Sequence, residues 1–453
     1  MTDNKTPTVT ERLITDVQNL LTVPLSDDLR NMALDCVLDW FGIAIAGANE
    51  PLVHKLIAEA QDQGGNPEAT VLWHGVRTSP MFAALINGSA GDALDFADSN
   101  FAMRGHTTPS VVGCSLAMAE YTKASGLDFL KAIIAGVESE CRVGTLMQPG
   151  YLRKGFHPTG TTAPFGCAGA ASYLLKLDIP RTAYAMGIVG TQAAGLLASG
   201  GTMSKPFHSG KAAMNGLLAA KLARRDFISR PDAIEAPEGF LETHATNRNV
   251  PGMEECIGRF LIFGTRFKSH AACQLTHSTI ENVLQFRNTD HVKAEDVEHI
   301  DVQVPPQFLS VCNIQEPQTG LQGKFSLRVT ASMALLGDDT MDIGAYTAER
   351  VTRPELVRLR DKVTVTGNPE LSGGIGVTTV LLKDGRKLTR SSDAYEPIGS
   401  LALQREMVTK KFHALLDPIL GKAAADTLRQ SILTIDKLDS VGPLLAQSAK
   451  AKA

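Results

Sequence analysis

From residue 29 to residue 225, apolar side chains recur at helical spacing in one segment after another, and the predicted helices are rich in very small residues. The segments span 29–46, 81–96, 113–124, 129–146, 161–175, 179–198 and 210–225. Runs such as Ala168-Gly169-Ala170-Ala171 and Gly190-Thr191-Gln192-Ala193-Ala194-Gly195 offer little side chain to interdigitate. Such helices bury surface by close backbone approach, so the stretch predicts a tightly packed all-α domain.

After about residue 265 the period changes. Residues 297–304 (VEHIDVQV) alternate as a half-buried strand, 363–366 repeat the signal, and 376–390 read as a hairpin turning on Asp384-Gly385. Helices over 325–336 and 354–362 lie between them. Beyond Tyr395-Glu396-Pro397 helical spacing returns over 401–416 and 423–433. At 453 residues the chain exceeds what one core organises. The expected fold is mostly α with a smaller α+β domain. A discontinuous all-helical domain (residues 1–265, completed by C-terminal helices in 398–453) carries an inserted α+β domain (266–397).

A formal net charge of −4 gives no attraction for nucleic acid or an anionic membrane, so an anionic ligand needs a local cationic pocket. Residues 1–18 lack the apolar region of a secretory signal. The apolar stretch 32–48 carries Asp35 and Asp39 and is too short to span a bilayer, so it reads as a core helix. Cys36, Cys114, Cys141, Cys167, Cys256, Cys273 and Cys312 form no C-x-x-C pair and read as reduced thiols. The expected location is cytoplasmic, with no membrane or nucleic-acid partner.

Ionisable residues concentrate in five places, of which the acidic patch Asp338-Asp339 with Met341-Asp342 reads as a solvated, helix-ending loop. Asp95-Phe96-Ala97-Asp98-Ser99-Asn100 runs on to Arg104-Gly105-His106-Thr107-Thr108-Pro109-Ser110, a polar link between two helices. Asp98 and Ser99 suit helix termination as well as function, whereas His106, beside Arg104 and Gly105 in a loop, is better explained by function. Gly155-Phe156-His157-Pro158-Thr159-Gly160-Thr161-Thr162 sets His157 ahead of a helix start. Thr161 and Thr162 are candidate N-caps there, and the free N–H groups of such a start attract anions. Gly200 to Lys211 gathers glycines, Lys205 and His208 before a helix, but Ala212 stands where a Walker A loop needs Ser or Thr. In Phe267 to His277, the spacing of His270, Cys273 and His277 on one helix face raises zinc. No H-E-x-x-H or distant Cys/His pair completes a site, so no metal is expected, and Lys268 reads as a carboxylate contact. With neither G-x-S-x-G nor G-x-G-x-x-G present, the inventory points to acid–base work by His and Lys without an organic cofactor.

Together these motifs resemble the MmgE/PrpD family. The matching text is Asn87-Gly88 with Leu94 to Asp98, Gly155 to Thr159, Gly201 to Lys205, and Gly323-Lys324-Phe325-Ser326-Leu327. The resemblance covers nearly the whole chain. It implies a large helical domain, a smaller α+β domain, a homodimer, and a metal-independent active site in the cleft between domains. Carried over by position, the pocket contains Asp95, Ser99, His106, His157, Lys205 and Lys268, with Asp98 and His208 in the same motifs. Three departures stand out: Ala97 where the family commonly has Asp, Thr107 where it has Pro, and Val329 where it has Tyr.

The chemistry implied is proton removal next to a carboxylate. Lys205, Lys268 and the helix start near Thr161 are expected to stabilise the anion, His157 and His106 to act as base and acid, and Arg104 to bind a distal carboxylate. The leading expectation is a lyase dehydrating a small hydroxy di- or tricarboxylate, as 2-methylcitrate dehydratase does. Epimerisation of a dicarboxylate such as iminodisuccinate, towards which the 98–106 loop leans, and cis-aconitate-type decarboxylation use the same groups. A catalytically inactive carboxylate binder is the alternative of another class, permitted by Val329.

Overall fold

The computed structural model describes residues 6–147, 155–396 and 399–450. These residues form two compact units, one of those within 1–199, 203–267 and 401–453, the other of those within 200–202 and 268–400.

The first unit opens with α1 (Val9–Leu20), α2 (Asp27–Ala46) and α3 (Pro51–Gln63). A small ladder of β1 (Ala69–Thr70) and β2 (Arg77–Thr78) precedes α4 (Pro80–Ala90). Strand β3 (Ser99–Asn100) leads into α5 (Thr108–Thr122) and α6 (Gly126–Leu146). Then come α7 (Pro158–Thr161), α8 (Ala163–Leu174), α9 (Ile179–Gly190) and α10 (Ser204–Ala223). Short α11 (Phe240–His244) and α12 (Gly252–Cys256) precede β4 (Thr265–Arg266), which pairs antiparallel with β3. Small residues do set the packing. A Cβ on Gly210 of α10 would lie 2.1 Å from the Leu85 carbonyl oxygen and the Ser89 Oγ of α4. One on Gly216 would lie 2.3 Å from the Cβ of Cys167 in α8.

The second unit holds α13 (His277–Asn288), β5 (Val297–Val304), α14 (Gly320–Gly323), α15 (Leu327–Leu336), α16 (Ala348–Val351) and α17 (Pro354–Arg360). Strands β6 (Val363–Gly367), β7 (Ile375–Leu382) and β8 (Lys387–Asp393) complete a sheet of order β6-β5-β7-β8. Only the β5–β6 pair is parallel. The Asp384-Gly385 hairpin forms with a longer loop than a two-residue turn. Only Gly385 is left-handed (φ +87°), its N–H donates to the Leu382 carbonyl, and the Leu382 N–H reaches Arg386 across the loop. Val329 is a buried core residue of α15.

The chain then returns to the first unit through α18 (Leu401–Leu420), α19 (Lys422–Leu433) and α20 (Gly442–Gln447). By length and composition α2 would be able to cross a membrane, but it is buried in this unit. Its two internal carboxylates explain how: Asp35 pairs with Arg405 and Asp39 with Lys411 (2.8 Å), both from α18. A buried charge on an apolar helix persists only when it is paired in this way.

Several boundaries differ from the sequence reading: helix α9, expected to reach Ala198, ends at Gly190, and α5, expected from Gly113, starts at Thr108 with Pro109 in its first turn. Helix α1 was not anticipated, although Thr8 and Glu11 form a capping box at its start. Helix α4 ends at Ala90, short of Phe96, and Asp95 beyond it is left-handed (φ +52°). Helix α10 starts at Ser204, six residues ahead of Gly210. Residues 270–273 are not helical and Gln274–Thr276 is a 3₁₀ turn, so His270, Cys273 and His277 share no helix face.

Candidate active site

The early end of α4 and the early start of α10 together create the densest charge cluster near the histidines. Because α10 begins at Ser204, Lys205, His208 and Ser209 fall at i, i+3 and i+4, on one face of its first two turns. The Lys205 Nζ donates to Asp92 Oδ1 and to Asp95 Oδ1, each at 2.7 Å, and the Ser209 hydroxyl donates to Asp92 Oδ2 at 2.6 Å. Burial disfavours the ammonium, but the two carboxylates outweigh it and raise the Lys205 pKa above its ordinary value. Lys205 is therefore not an open anion anchor. One ammonium against two carboxylates leaves this cluster net negative, which changes the role expected of it. Asp92 and Ser209 were not singled out from sequence; the signal was the i, i+3 spacing of Asp92 and Asp95 facing the i, i+4 spacing of Lys205 and Ser209.

Three histidines adjoin the cluster. His157 is the N-cap residue of α7 and is 8% exposed. Its Nδ1 lies 3.0 Å from Nδ1 of the half-buried His208, and its ring centroid lies 6.4 Å from that of His106. Burial, reinforced by Lys205, His106 and His208, holds His157 well below the usual imidazole range against the opposing pull of Asp95. Burial also lowers His208, with Asp92 opposing and Lys205 adding. His157 is thus a neutral ring in the resting protein.

His106 is aimed by its own loop. Its Nδ1 lies 2.7 Å from the Asp98 carbonyl oxygen, and its backbone N–H donates to Thr159 Oγ1 at 3.1 Å. A carbonyl only accepts, so Nδ1 carries a proton and the ring orientation is fixed. Asp98 is itself locked. Its carboxylate accepts from the Thr107 hydroxyl, the Thr108 N–H (3.1 Å) and the Thr108 hydroxyl (2.5 Å) at the start of α5, and burial pushes its pKa up. Asp98 is therefore a positioning residue for the helix start and for His106. Next to it, the buried Ser99 Oγ has no hydrogen-bond partner among the described residues. Arg104 adopts a left-handed backbone (φ +54°) with its guanidinium carbon 5.1 Å from the Phe101 ring centroid.

The N-cap expectation for Thr161 needs correction. Helix α7 starts at Pro158, so the Thr161 N–H already bonds the His157 carbonyl at 3.2 Å, and its hydroxyl turns back to the same carbonyl at 3.3 Å. The N-terminal end of this helical run belongs to His157. Thr162 precedes α8, but its hydroxyl bonds the Pro158 carbonyl and caps nothing.

Asp92, Asp95 and His106 bring ligand atoms within 4.8 Å of one another, a spacing a cation can use. The Lys205 ammonium already bridges those carboxylates, so a metal ion would have to displace it. In the second unit, His270 faces Glu281 through Nε2 (2.9 Å) and the Thr340 hydroxyl through Nδ1 (2.7 Å), which commits both ring nitrogens. Lys268 is the first residue of that unit's long segment.

Residues 11–252 match the MmgE/PrpD N-terminal domain and residues 270–437 the MmgE/PrpD C-terminal domain. The chain belongs to the MmgE/PrpD family. Among its relatives is cis-aconitate decarboxylase of Mus musculus, 25% identical over 452 residues, covering 96% of this chain and 91% of the relative. The enzyme of that name from Aspergillus terreus is 26% identical over 468 residues, covering 96% and 95%. The Homo sapiens one is 24% identical over 453 residues, covering 96% and 93%. As a member of this MmgE/PrpD family, the protein is an enzyme acting on carboxylates.

Proposed function

We propose that the chain is a cofactor-independent lyase of a small di- or tricarboxylate, using His106 and His157 to move a proton at the carbon next to a carboxylate. The observation that carries this reading is the pair of differently prepared imidazoles. His106 has its Nδ1–H tied to the Asp98 carbonyl, which fixes the ring. His157 is buried, neutral and 6.4 Å away between ring centroids, so both rings reach one small substrate.

Decarboxylation of a cis-aconitate-like tricarboxylate is the reading placed first, supported by the name of relatives that align with 96% of the chain. The bond to the departing carboxylate breaks and its electron pair passes into the neighbouring unsaturated acid as an aci-carboxylate. Carbon dioxide leaves, and a histidine N–H delivers a proton to carbon. Dehydration of a hydroxy acid, as by 2-methylcitrate dehydratase, is the second reading. It needs a base for the α-proton and an acid for the departing hydroxide, and the two imidazoles, 6.4 Å apart between centroids, are the pair to supply them. Because the Lys205 cluster is net negative, anchoring of substrate carboxylates falls to Arg104 and to Lys268, the latter on the family resemblance alone. Asp95 orients Lys205, and the Ser99 hydroxyl is a spare donor for substrate. The homodimer implied by the resemblance belongs to the same proposal and is read by light scattering.

The test is NMR in D₂O with cis-aconitate, 2-methylcitrate, citrate, malate, tartrate and iminodisuccinate. Turnover of cis-aconitate with deuterium entering the product, lost in His157→Ala, is the expected result. Loss of water from a hydroxy acid moves the assignment to the dehydratase, and exchange with inversion moves it to an epimerase. No turnover or exchange with any of them overturns the lyase reading in favour of a carboxylate binder.

A further inference from the structure

His157 touches His208 through one nitrogen of each ring, Nδ1 to Nδ1 at 3.0 Å. Two nitrogens at that distance share a single proton, because two facing N–H groups repel and two lone pairs make no bond. The position of the shared proton then dictates the opposite edge of His157. With the proton on His208, a neutral His157 carries its own hydrogen on Nε2 and is an acid there. With the proton on His157 Nδ1, its Nε2 is a lone pair and a base.

We propose that His208 is a proton-relay partner that shares its Nδ1 proton with His157 and so sets His157 Nε2 to acid or base. The inference rests on the lyase reading for its chemical step and on geometry for the shared proton. Three features of this chain fit it. His157 is nearly enclosed while His208 is half-buried, so His208 is the more exposed ring of the pair. His208 lies three residues after Lys205 on α10, one turn along the same face, so the Asp92–Asp95–Lys205 cluster fixes the helix turn that carries it. The backbone of His157 is also held, its N–H donating to the Gly195 carbonyl at 3.0 Å, which fixes the point from which the ring reaches His208.

The step balances. As the carbanion takes the Nε2 proton of His157, the N–H electron pair stays on the ring. His157 Nδ1 takes the shared proton from His208 Nδ1, and His208 accepts one proton from water or buffer at Nε2. That leaves His157 with its hydrogen on Nδ1. Return of this proton to His208 Nδ1, release of the His208 Nε2 proton to water and uptake of one water proton at His157 Nε2 restore the pair. The sum over a turnover is one solvent proton delivered to carbon, the proton that a decarboxylation consumes. His208 touches His157 and not the reacting atoms, so it is a positioning residue.

Two experiments decide it. The first needs no substrate: ¹⁵N–¹H correlation spectra of histidine-labelled protein, assigned with His157→Gln and His208→Gln. The expected result is one protonated and one unprotonated Nδ1 in the pair, with the His157 pattern changing in His208→Gln. Two unprotonated Nδ1 atoms overturn the shared proton, whatever the enzyme does. The second is turnover of the substrate found by the NMR panel. Glutamine keeps a hydrogen bond to Nδ1 but passes no proton. Under the relay, His208→Gln falls as far as His208→Ala, about 10²-fold, and added imidazole restores the alanine variant. A glutamine variant with wild-type rate, or no rescue, reduces His208 to packing. Wild-type inactivity on every substrate overturns the lyase reading instead, and the spectra alone then judge the pair.

Discussion

The first unit contains two buried clusters of the same formal make-up, one cation between two carboxylates, and they are used in opposite ways. Arg142 of α6 donates to Asp16 Oδ2 at 2.7 and 3.0 Å and to Glu138, and its remaining capacity goes to the carbonyls of Cys256 and Arg259. The carboxylates are closed off as well: Glu138 accepts from the N–H groups of Leu261 and Ile262, and Asp16 from that of Gly258. Every partner is backbone or cluster, so no group is left that exchanges a proton with a ligand. The Lys205 cluster has Ser209 as its further partner, three imidazoles beside it and a left-handed Asp95 within it. Backbone strain of that kind concentrates where geometry serves chemistry. Charge count alone does not tell a strut from a site; saturation by backbone does.

The contrast yields four measurable consequences, in falling order of effect. His157→Ala should lower turnover about 10²- to 10⁴-fold with little change in melting temperature. An equal loss of stability and activity would place His157 with the struts. Arg142→Met should destabilise the fold by about 3–5 kcal/mol, because two buried carboxylates lose their cation, while the folded fraction keeps its turnover. Lys205→Met should cost stability in the same range and abolish turnover as well. Denaturant titration with a specific-activity assay separates the two variants, and an inactive but folded Arg142→Met would erase the distinction.

The third concerns pH. His157 is neutral when folded, whereas the unfolded chain takes up a proton below about pH 6.5. Its stabilising contribution is therefore complete above that pH and is lost as pH falls, by about 1.4 kcal/mol at pH 5.5 relative to 7.5. Buried Glu140, and Asp39 raised to about 6, have higher folded pKa values and shift stability the other way. The comparison is thus wild type against His157→Gln, and the variant should lose less on acidification; identical losses would mean His157 titrates normally. The smallest effect is expected at Arg104. Arg104→Ala should raise KM about fivefold with kcat nearly unchanged, the loss of one half-exposed carboxylate contact. An unchanged KM would leave substrate anchoring in the first unit without this arginine.

The broad fold was legible because it depends on period. Helical spacing with small residues, then the alternation of 297–304, separates a helical region from a mixed sheet without knowledge of any contact, and β5 occupies that interval. What was not legible depends on where helices stop. Asp92 looks like a helix-surface residue if α4 continues to Phe96, and Lys205 and His208 look like loop residues if α10 begins at Gly210. Moving those ends by six residues each turns separate polar residues into one ion cluster. Thr161 failed for the same reason: its motif suits a cap, but Pro158 at the first helical position starts the helix three residues earlier. The Nδ1–Nδ1 contact of His157 and His208 joins residues 51 apart and has no local signature.

The glycine contact between α4 and α10 has a consequence for how this protein can change. Gly210 sits two residues after His208, against an α4 backbone that leaves no space for a methyl group. The helix carrying Lys205, His208 and Ser209 is therefore seated like a rail, and sliding it to suit a differently shaped substrate means breaking the tightest packing in its first three turns. In the segment from Ser99 to Arg104 the Met103 backbone is pinned in the same way, against Gly144 of α6, but Phe101 is exposed and Ala102 half-buried. New substrate preferences in a lineage of such chains should accumulate in that loop, while the proton-handling helix stays as it is.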